Sequence, residues 1–323
     1  MKLQEILGQD RAREQLLLAL RRDRLAHALI FSGPGGVGKR TMALALARAL
    51  FCTTAPGEGC DFCDDCHLID AGTHPDLQIE DMERAREERA TTRQLSIAQM
   101  RRLRSGLALR GMRSRRKVAI IEPAEKLTAD AQNALLKTLE EPPAACTILL
   151  VTTNADALLA TIRSRCQRVL FAPLPAATIE ELLVRRGTPS DQAAAVAALA
   201  GGSLDEADRL ASEETRTRRE ELHDRLDDLH SLPIPDLLDF AAALGRGKGD
   251  ERRQRMALDS TIFLQWARGR MLEATESGDS ETIRRALGRL RRIHGTTRDL
   301  ERYANAQLSW ESLLLDLQGR EGL

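Results

Sequence analysis

Aromatic residues are scarce: one tyrosine, two tryptophans and six phenylalanines in 323 residues. The cores must therefore be built from Leu, Ala, Ile and Val, which leans towards helix. Net charge is also missing, because 48 Lys and Arg balance 48 Asp and Glu. That excludes the global field that draws a stand-alone DNA-binding protein to phosphates, and leaves any nucleic-acid role local or indirect. No apolar run approaches the roughly 20 residues needed to span a bilayer. The opening Met1-Lys2-Leu3-Gln4-Glu5 has neither the basic nor the apolar region of a secretory signal. The chain reads as cytoplasmic, with no membrane partner. No repeat of fixed period and no low-complexity tract is visible.

What is present is enough chain for two or three hydrophobic cores. Leu16 to Leu20, flanked by arginines, reads as an amphipathic first helix, and Ala28-Leu29-Ile30-Phe31 as a buried strand that stops at Ser32-Gly33. A glycine-rich turn leads into Thr41 to Phe51, a run of strong helix formers with an apolar face. Asp76 to Ile79 alternates like a strand, Asp81 to Arg93 is charged enough to be an exposed connection, and Ile97 to Leu109 has a helical period. Val118 to Ile121 and Thr147 to Val151 are apolar runs of the kind buried on both faces of a parallel sheet. Between them, Ala129 to Glu141 is helical up to Pro142-Pro143. This alternation predicts a doubly wound α/β fold. Beyond Pro173 the strand signal disappears, and from Glu213 the helices lengthen. The expected domains are therefore 1–171, α/β with a metal module near 52–66; 172–212, small and helical; and 213–323, all-α.

Gly33-Pro34-Gly35-Gly36-Val37-Gly38-Lys39 fits G-x-x-x-x-G-K, follows an expected strand and opens an expected helix. Glycines let successive backbone N–H groups turn inward around phosphate oxygens. The helix N-terminus adds partial positive charge and Lys39 a full one. Gly33, Gly36, Gly38, Lys39 and Thr41 are the candidate nucleotide-binding residues, with ATP or ADP as the ligand. A glycine-rich turn that binds nothing is the other reading, and both stay open. Arg40 stands where such loops carry the Ser or Thr that ligates magnesium. Thr41 comes one residue late, a rotation of about 100° on a helix, which puts magnesium coordination in doubt.

A hydrolysing site of this class ends a buried strand with an acid for magnesium and a second acid that activates water. Here Val118 to Ile121 is followed by Glu122-Pro123-Ala124-Glu125. Glu122 is suited to face the metal, but Pro123 holds the place of the general base and accepts no proton. Hydrolysis by this chain is not expected.

Four of the six cysteines, Cys52, Cys60, Cys63 and Cys66, fall in one stretch; Cys146 and Cys166 stand alone in apolar surroundings. Four thiolates at short spacing suit one tetrahedral ion, and soft all-sulfur coordination favours structural zinc, with no position left for substrate. His67 is expected to point away. An iron–sulfur cluster and four unconnected thiols are the competing readings.

Taken together, these stretches resemble the clamp-loader subunits of bacterial DNA polymerase III, whose gamma/tau and delta-prime members share an AAA+ module with a zinc insertion. The likeness is carried by His27-Ala28-Leu29-Ile30-Phe31-Ser32-Gly33, by His74-Pro75-Asp76, by Asn133 to Pro143 (NALLKTLEEPP) and by Thr161-Ile162-Arg163-Ser164-Arg165-Cys166. The resemblance implies an AAA+ P-loop domain, a helical lid at 172–212 and a helical collar at 213–323. It also implies that Arg165 is an arginine finger supplied to a neighbour's ATP; guanidinium is permanently charged and forks onto phosphate. On spacing alone, Arg165 reads as an ordinary salt-bridging arginine at a strand edge.

ATP-hydrolysing members carry Ser or Thr after the loop lysine, Asp-Glu after the second strand and an arginine after the Gly-Ser of the lid; here stand Arg40, Glu122-Pro123 and Asp205. That pattern resembles the delta-prime branch. It implies a subunit without its own catalysis, working beside gamma/tau and delta in a hetero-pentamer that loads a sliding clamp onto primer-template DNA. The alternative is an active clamp-loader ATPase of gamma/tau type. A DNA-binding finger built on the cysteines is disfavoured by neutral charge and by the lack of a basic helix after Cys66.

Overall fold

Apolar runs without polar interruption must be covered on both sides, and they become the centre of a parallel sheet. In the computed structural model, which describes residues 1–82, 94–247, 249–301 and 305–319, the strands are β1 (Ala28–Ser32), β2 (Leu77–Glu80), β3 (Lys117–Ile121), β4 (Cys146–Thr152) and β5 (Gln167–Leu170). Their order is β2-β3-β4-β1-β5, and every pairing is parallel. Every residue of β1, β3 and β4 is buried. Most of the charged run Asp81 to Arg93 lies outside the described residues.

The first unit, Met1–Asp208, surrounds this sheet with α1 (Asp10–Arg21), α2 (Lys39–Phe51), α3 (Asp64–Asp70), α4 (Ile97–Ala108), α5 (Ala129–Glu140), the single turn α6 (Ala160–Arg163), α7 (Ala176–Arg185) and α8 (Ser190–Leu199). Alternate strand residues, Ile30, Ile121 and Leu150 among them, pack on Leu103 of α4 and Leu135 of α5, as the two-residue period of a strand requires. Ser96 starts α4 with a capping box completed by Gln99, and Thr128 caps α5. The boundary with the second unit falls inside α9 (Leu204–Ala211), so the segment from 172 to 208 groups with the sheet. Within it, the N–H of Leu174 donates to the Gly202 carbonyl at 2.9 Å.

The second unit, Arg209–Leu323, is helical in its described residues: α10 (Glu213–Asp227), α11 (Ile234–Leu244), α12 (Gly249–Ser277), α13 (Ser280–Glu301) and α14 (Ala306–Gln318). Its core gathers Leu222, Phe240, Phe263, Trp266, Ile293 and Trp310. The rings of Phe263 and Trp310 lie 5.0 Å apart in a tilted arrangement. No described helix is long and apolar enough to cross a membrane.

Candidate nucleotide and metal sites

The loop after β1 stands at the carboxyl end of the central strands, where open α/β sheets bind their ligands. Gly36 and Gly38 take φ of +68° and +90°, a region that side chains other than glycine's rarely enter. Gly33 is required for another reason: a Cβ there would lie 2.3 Å from the carbonyl oxygen of Phe171. Lys39 opens α2 and is buried. Its ammonium donates to the carbonyl of Gly33 at 2.9 Å and to that of Pro34. Burial lowers its pKa, against the opposing charges of Glu122, Glu125 and Asp205. Thr41 makes no side-chain hydrogen bond among the described residues.

The structure adds a partner that sequence reasoning did not find. Arg40 donates to Glu122 at 3.0 Å and to Asp81 at 3.0 Å. A guanidinium thus occupies the charge-neutralising position between two carboxylates beside the phosphate loop. Burial raises the pKa of Glu122 above the usual carboxylate range, and Arg40 acts against it. Glu125 is held by Thr153, one carboxylate oxygen accepting from its backbone N–H and its hydroxyl. Burial pushes its pKa up, but these hydrogen bonds outweigh it and the net shift is downward.

The start of α9 lies against the same loop. The N–H of Leu204 donates to the Gly36 carbonyl at 2.8 Å, and a Cβ on Gly36 would meet the Ser203 hydroxyl at 2.1 Å and the Asp205 Cβ at 3.0 Å. Buried Gln9 ties the far side, donating to the carbonyls of Val37 at 3.2 Å and Ala172 at 2.7 Å. Neither contact was legible in sequence, since each joins residues more than 25 positions apart.

Arg165 follows the turn of α6. Its guanidinium reaches Glu140 at 2.8 Å and the Thr161 carbonyl at 3.0 Å, with 37% of the side chain exposed. Arg163 pairs with Asp156, and Arg168 turns to the Ser32 hydroxyl at 3.1 Å.

Cys52, Cys60, Cys63 and Cys66 offer four sulfurs that lie within 4.8 Å of one another. The Cys52–Cys63 and Cys60–Cys66 separations are 3.8 and 3.9 Å. Four metal–sulfur bonds of about 2.3 Å in a tetrahedron set the sulfurs about 3.8 Å apart, so the donors fit such an ion. Burial pushes the Cys60 thiol up, but the N–H groups of Phe62 and Cys63 outweigh it and hold it at about 6; burial raises Cys66 to about 12. His67 is exposed and outside the ligand set. Burial pushes the Cys146 and Cys166 thiols up to about 11 and about 12, away from the thiolate form; Cys146 belongs to the sheet core and Cys166 packs partly buried against it.

Polar side chains surround this module, Asp65, Arg113 and Arg48 with no signal in the sequence, and His74 and Asp76 in a stretch that the resemblance had marked. Asp65, between two of the cysteines, accepts from Arg113 at 2.7 Å and lies 3.5 Å from His74. His74 stacks on Phe51 at 4.2 Å. Asp76 accepts the backbone N–H groups of Met112, Arg113 and Ser114 at 2.7–2.8 Å. Buried Arg48 joins Asp61, Asp70 and the Met1 carbonyl. Asp76 thus holds the turn from Met112 to Ser114, whose Arg113 reaches Asp65 beside the cysteines, while His74 packs on Phe51.

The family model described as DNA polymerase III, delta subunit, matches residues 8–175. A DNA polymerase III subunit delta' of Bacillus subtilis is 38% identical over 180 residues, 55% of this chain and 52% of that protein. The subunit delta' of Pseudomonas aeruginosa is 34% identical over 233 residues, 67% of this chain and 69% of its own length. The gamma/tau subunit of Mycobacterium bovis is 33% identical over 182 residues, 56% of this chain and 30% of that protein. The chain thus spans about half the length of the Bacillus relative and less than a third of the gamma/tau subunit.

Proposed function

Because this chain belongs to the delta-prime family of DNA polymerase III clamp-loader subunits, we propose that it is the non-hydrolysing stator of such a loader. It joins gamma/tau and delta subunits in a hetero-pentamer and assists ATP-dependent placement of a sliding clamp on primer-template DNA. It keeps a degenerate nucleotide site of its own and donates Arg165 to a neighbour's.

The observation that carries the reading is the fork of Arg40 onto Asp81 and Glu122. A hydrolysing site needs its acids to hold magnesium across the phosphates, and here a fixed guanidinium already satisfies them. Three further features act in the same direction. Pro123 has no carboxylate to activate water, Lys39 is folded onto its own loop carbonyls, and Asp205 places negative charge beside the lysine. Arg165 suits a finger because it is held at the surface by Glu140 and the Thr161 carbonyl and its guanidinium remains partly open. The four cysteines suit structural zinc, which would hold a loop with too few apolar residues to fold alone. The segment 172–212 acts as the lid and 213–323 as the collar.

The test is a reconstituted loader containing this chain. The chain alone should show no ATP turnover, and adding it should stimulate DNA-dependent turnover by its partners. Arg165→Ala should remove that stimulation without loosening the complex. Turnover by the isolated chain that Lys39→Ala abolishes would instead establish an active gamma/tau-type motor.

A further inference from the structure

We propose that the exposed face of α13 is a sequence-independent binding surface for nucleic-acid phosphates. The inference goes beyond the stator reading and does not depend on the state of the nucleotide site.

From Thr282 to Arg298 this helix carries six arginines and no carboxylate, in a chain whose net charge is zero. Arg284, Gly288, Arg291, Gly295 and Arg298 follow one another at steps of four and three residues. At about 100° per residue they fall within one narrow stripe. The stripe faces away from Ala286, Ile293 and Thr296, which are buried. Arg284 to Arg298 spans about 21 Å of helix at about 1.5 Å per residue.

Two features separate this stripe from an ordinary solvated helix face. Arg291 and Arg298 have no carboxylate partner among the described residues, although such pairs are common elsewhere on the surface; on this helix Arg284 and Arg285 both pair with Glu281. Secondly, Gly288 and Gly295 each weaken the helix relative to alanine, and the packing does not require them. A Cβ at either position would meet nothing within 4 Å. What their bareness provides is room for a ligand backbone to approach between arginines. Arg284 and Gly288 of the stripe, together with Arg285, Arg289 and Arg292, line an open groove of about 690 Å³ that runs to Asp316 on α14, where Arg292 is paired with that carboxylate.

The ligand chemistry follows from what the face lacks. No exposed large apolar side chain lies on α13, so the face has none of the apolar or aromatic anchors that dominate protein interfaces. It also offers no Phe, Tyr or Trp ring on which a base would stack, only the imidazole of exposed His294 beside the stripe. Planar guanidinium groups that fork onto oxyanions remain, and these suit the repeated charge of a phosphate backbone.

The test uses the full chain and fluorescently labelled oligonucleotides, single-stranded in one arm and duplex in the other, over a range of salt. Binding of either should weaken with salt. The triple variant Arg284→Gln, Arg291→Gln, Arg298→Gln should flatten the slope of log affinity against log salt by about 2 to 3, since each lost phosphate contact removes roughly 0.7–0.9. Gly288→Ala with Gly295→Ala should raise the melting temperature yet weaken binding, an opposition that a purely structural role does not produce. The arm with the larger slope change identifies the strand form. An unchanged slope in the triple variant, absence of binding to both oligonucleotides at low salt, or equal binding of a poly-glutamate peptide would each overturn the proposal.

Discussion

Arg40 and Glu122 are joined by an ion pair of 3.0 Å across the mouth of the phosphate loop, and the same guanidinium holds Asp81. Two carboxylates flanking a phosphate cradle ordinarily await a divalent cation; here the polypeptide supplies the positive charge itself. A side chain one residue beyond Lys39 thereby neutralises both carboxylates beside the loop.

Replacing that side chain should restore affinity without restoring catalysis. In Arg40→Ser, Glu122 and Asp81 lose their cation and a hydroxyl takes its place, so magnesium should strengthen nucleotide binding in the variant and have little effect on the native chain. Turnover should stay absent in both, since Pro123 is unchanged. Calorimetric titration with ADP, with and without magnesium, separates the two proteins. Equal magnesium dependence would mean that the ion pair does not compete with the metal.

The cysteine module should hold one equivalent of zinc, measurable by elemental analysis of freshly reduced protein. Cys60→Ser should lose the ion and disorder the loop around 52–66, while far-UV circular dichroism stays close to native, because the buried strands β1, β3 and β4 contain none of the four ligands. Chelation of the native protein should reproduce this. Global unfolding on chelation would show that the metal supports the sheet as well as the loop.

Strands covered on both faces were legible because their sequences have no polar interruption, as in Val118 to Ile121. The four cysteines were legible because ligand spacing is local. β5 was not, since only Val169 of its four residues is buried and a strand at the sheet edge leaves its other side chains to solvent. The Arg40 fork joins residues 41 and 82 positions apart, and Gln9 reaches Ala172 across 163. Such pairings depend on where the sheet brings distant loops together, so no periodicity or spacing rule announces them. The resemblance marked Arg40, Pro123 and Asp205 as departures from the ATP-hydrolysing members, but nothing in the sequence announced that Arg40 pairs with two carboxylates.

A buried ion pair in the second unit makes a stability test. Asp259 is fully buried and accepts from Arg218 at 2.9 and 3.1 Å in a forked contact. Arg218→Ala leaves a carboxylate in the interior without its cation, which should cost about 3–5 kcal/mol. Replacing both residues by leucine should recover most of the loss, because the desolvation cost then disappears with the charges. Chemical denaturation of the three proteins measures it, and equal midpoints would show that water reaches Asp259.

Both tryptophans of the chain, Trp266 and Trp310, belong to the core of this second unit, so tryptophan fluorescence follows its unfolding separately from the sheet. His223 on α10 is the titratable probe. Burial lowers its pKa, repulsion from Arg219 adds to this, and Asp227 opposes it; its Nε2 is buried without a hydrogen-bond partner. The folded state thus favours the neutral ring. Above the unfolded value of about 6.5 neither state is protonated and stability is at its plateau; below it the unfolded chain takes up a proton that the folded chain resists. Stability should therefore fall as pH drops from about 6.5 towards the folded value, seen as a lower urea midpoint at about pH 5.5 than at about pH 7.5. His223→Gln, which cannot titrate, should flatten that fall. Identical pH slopes in the two proteins would mean that the imidazole is as well solvated in the folded helix bundle as in the unfolded chain.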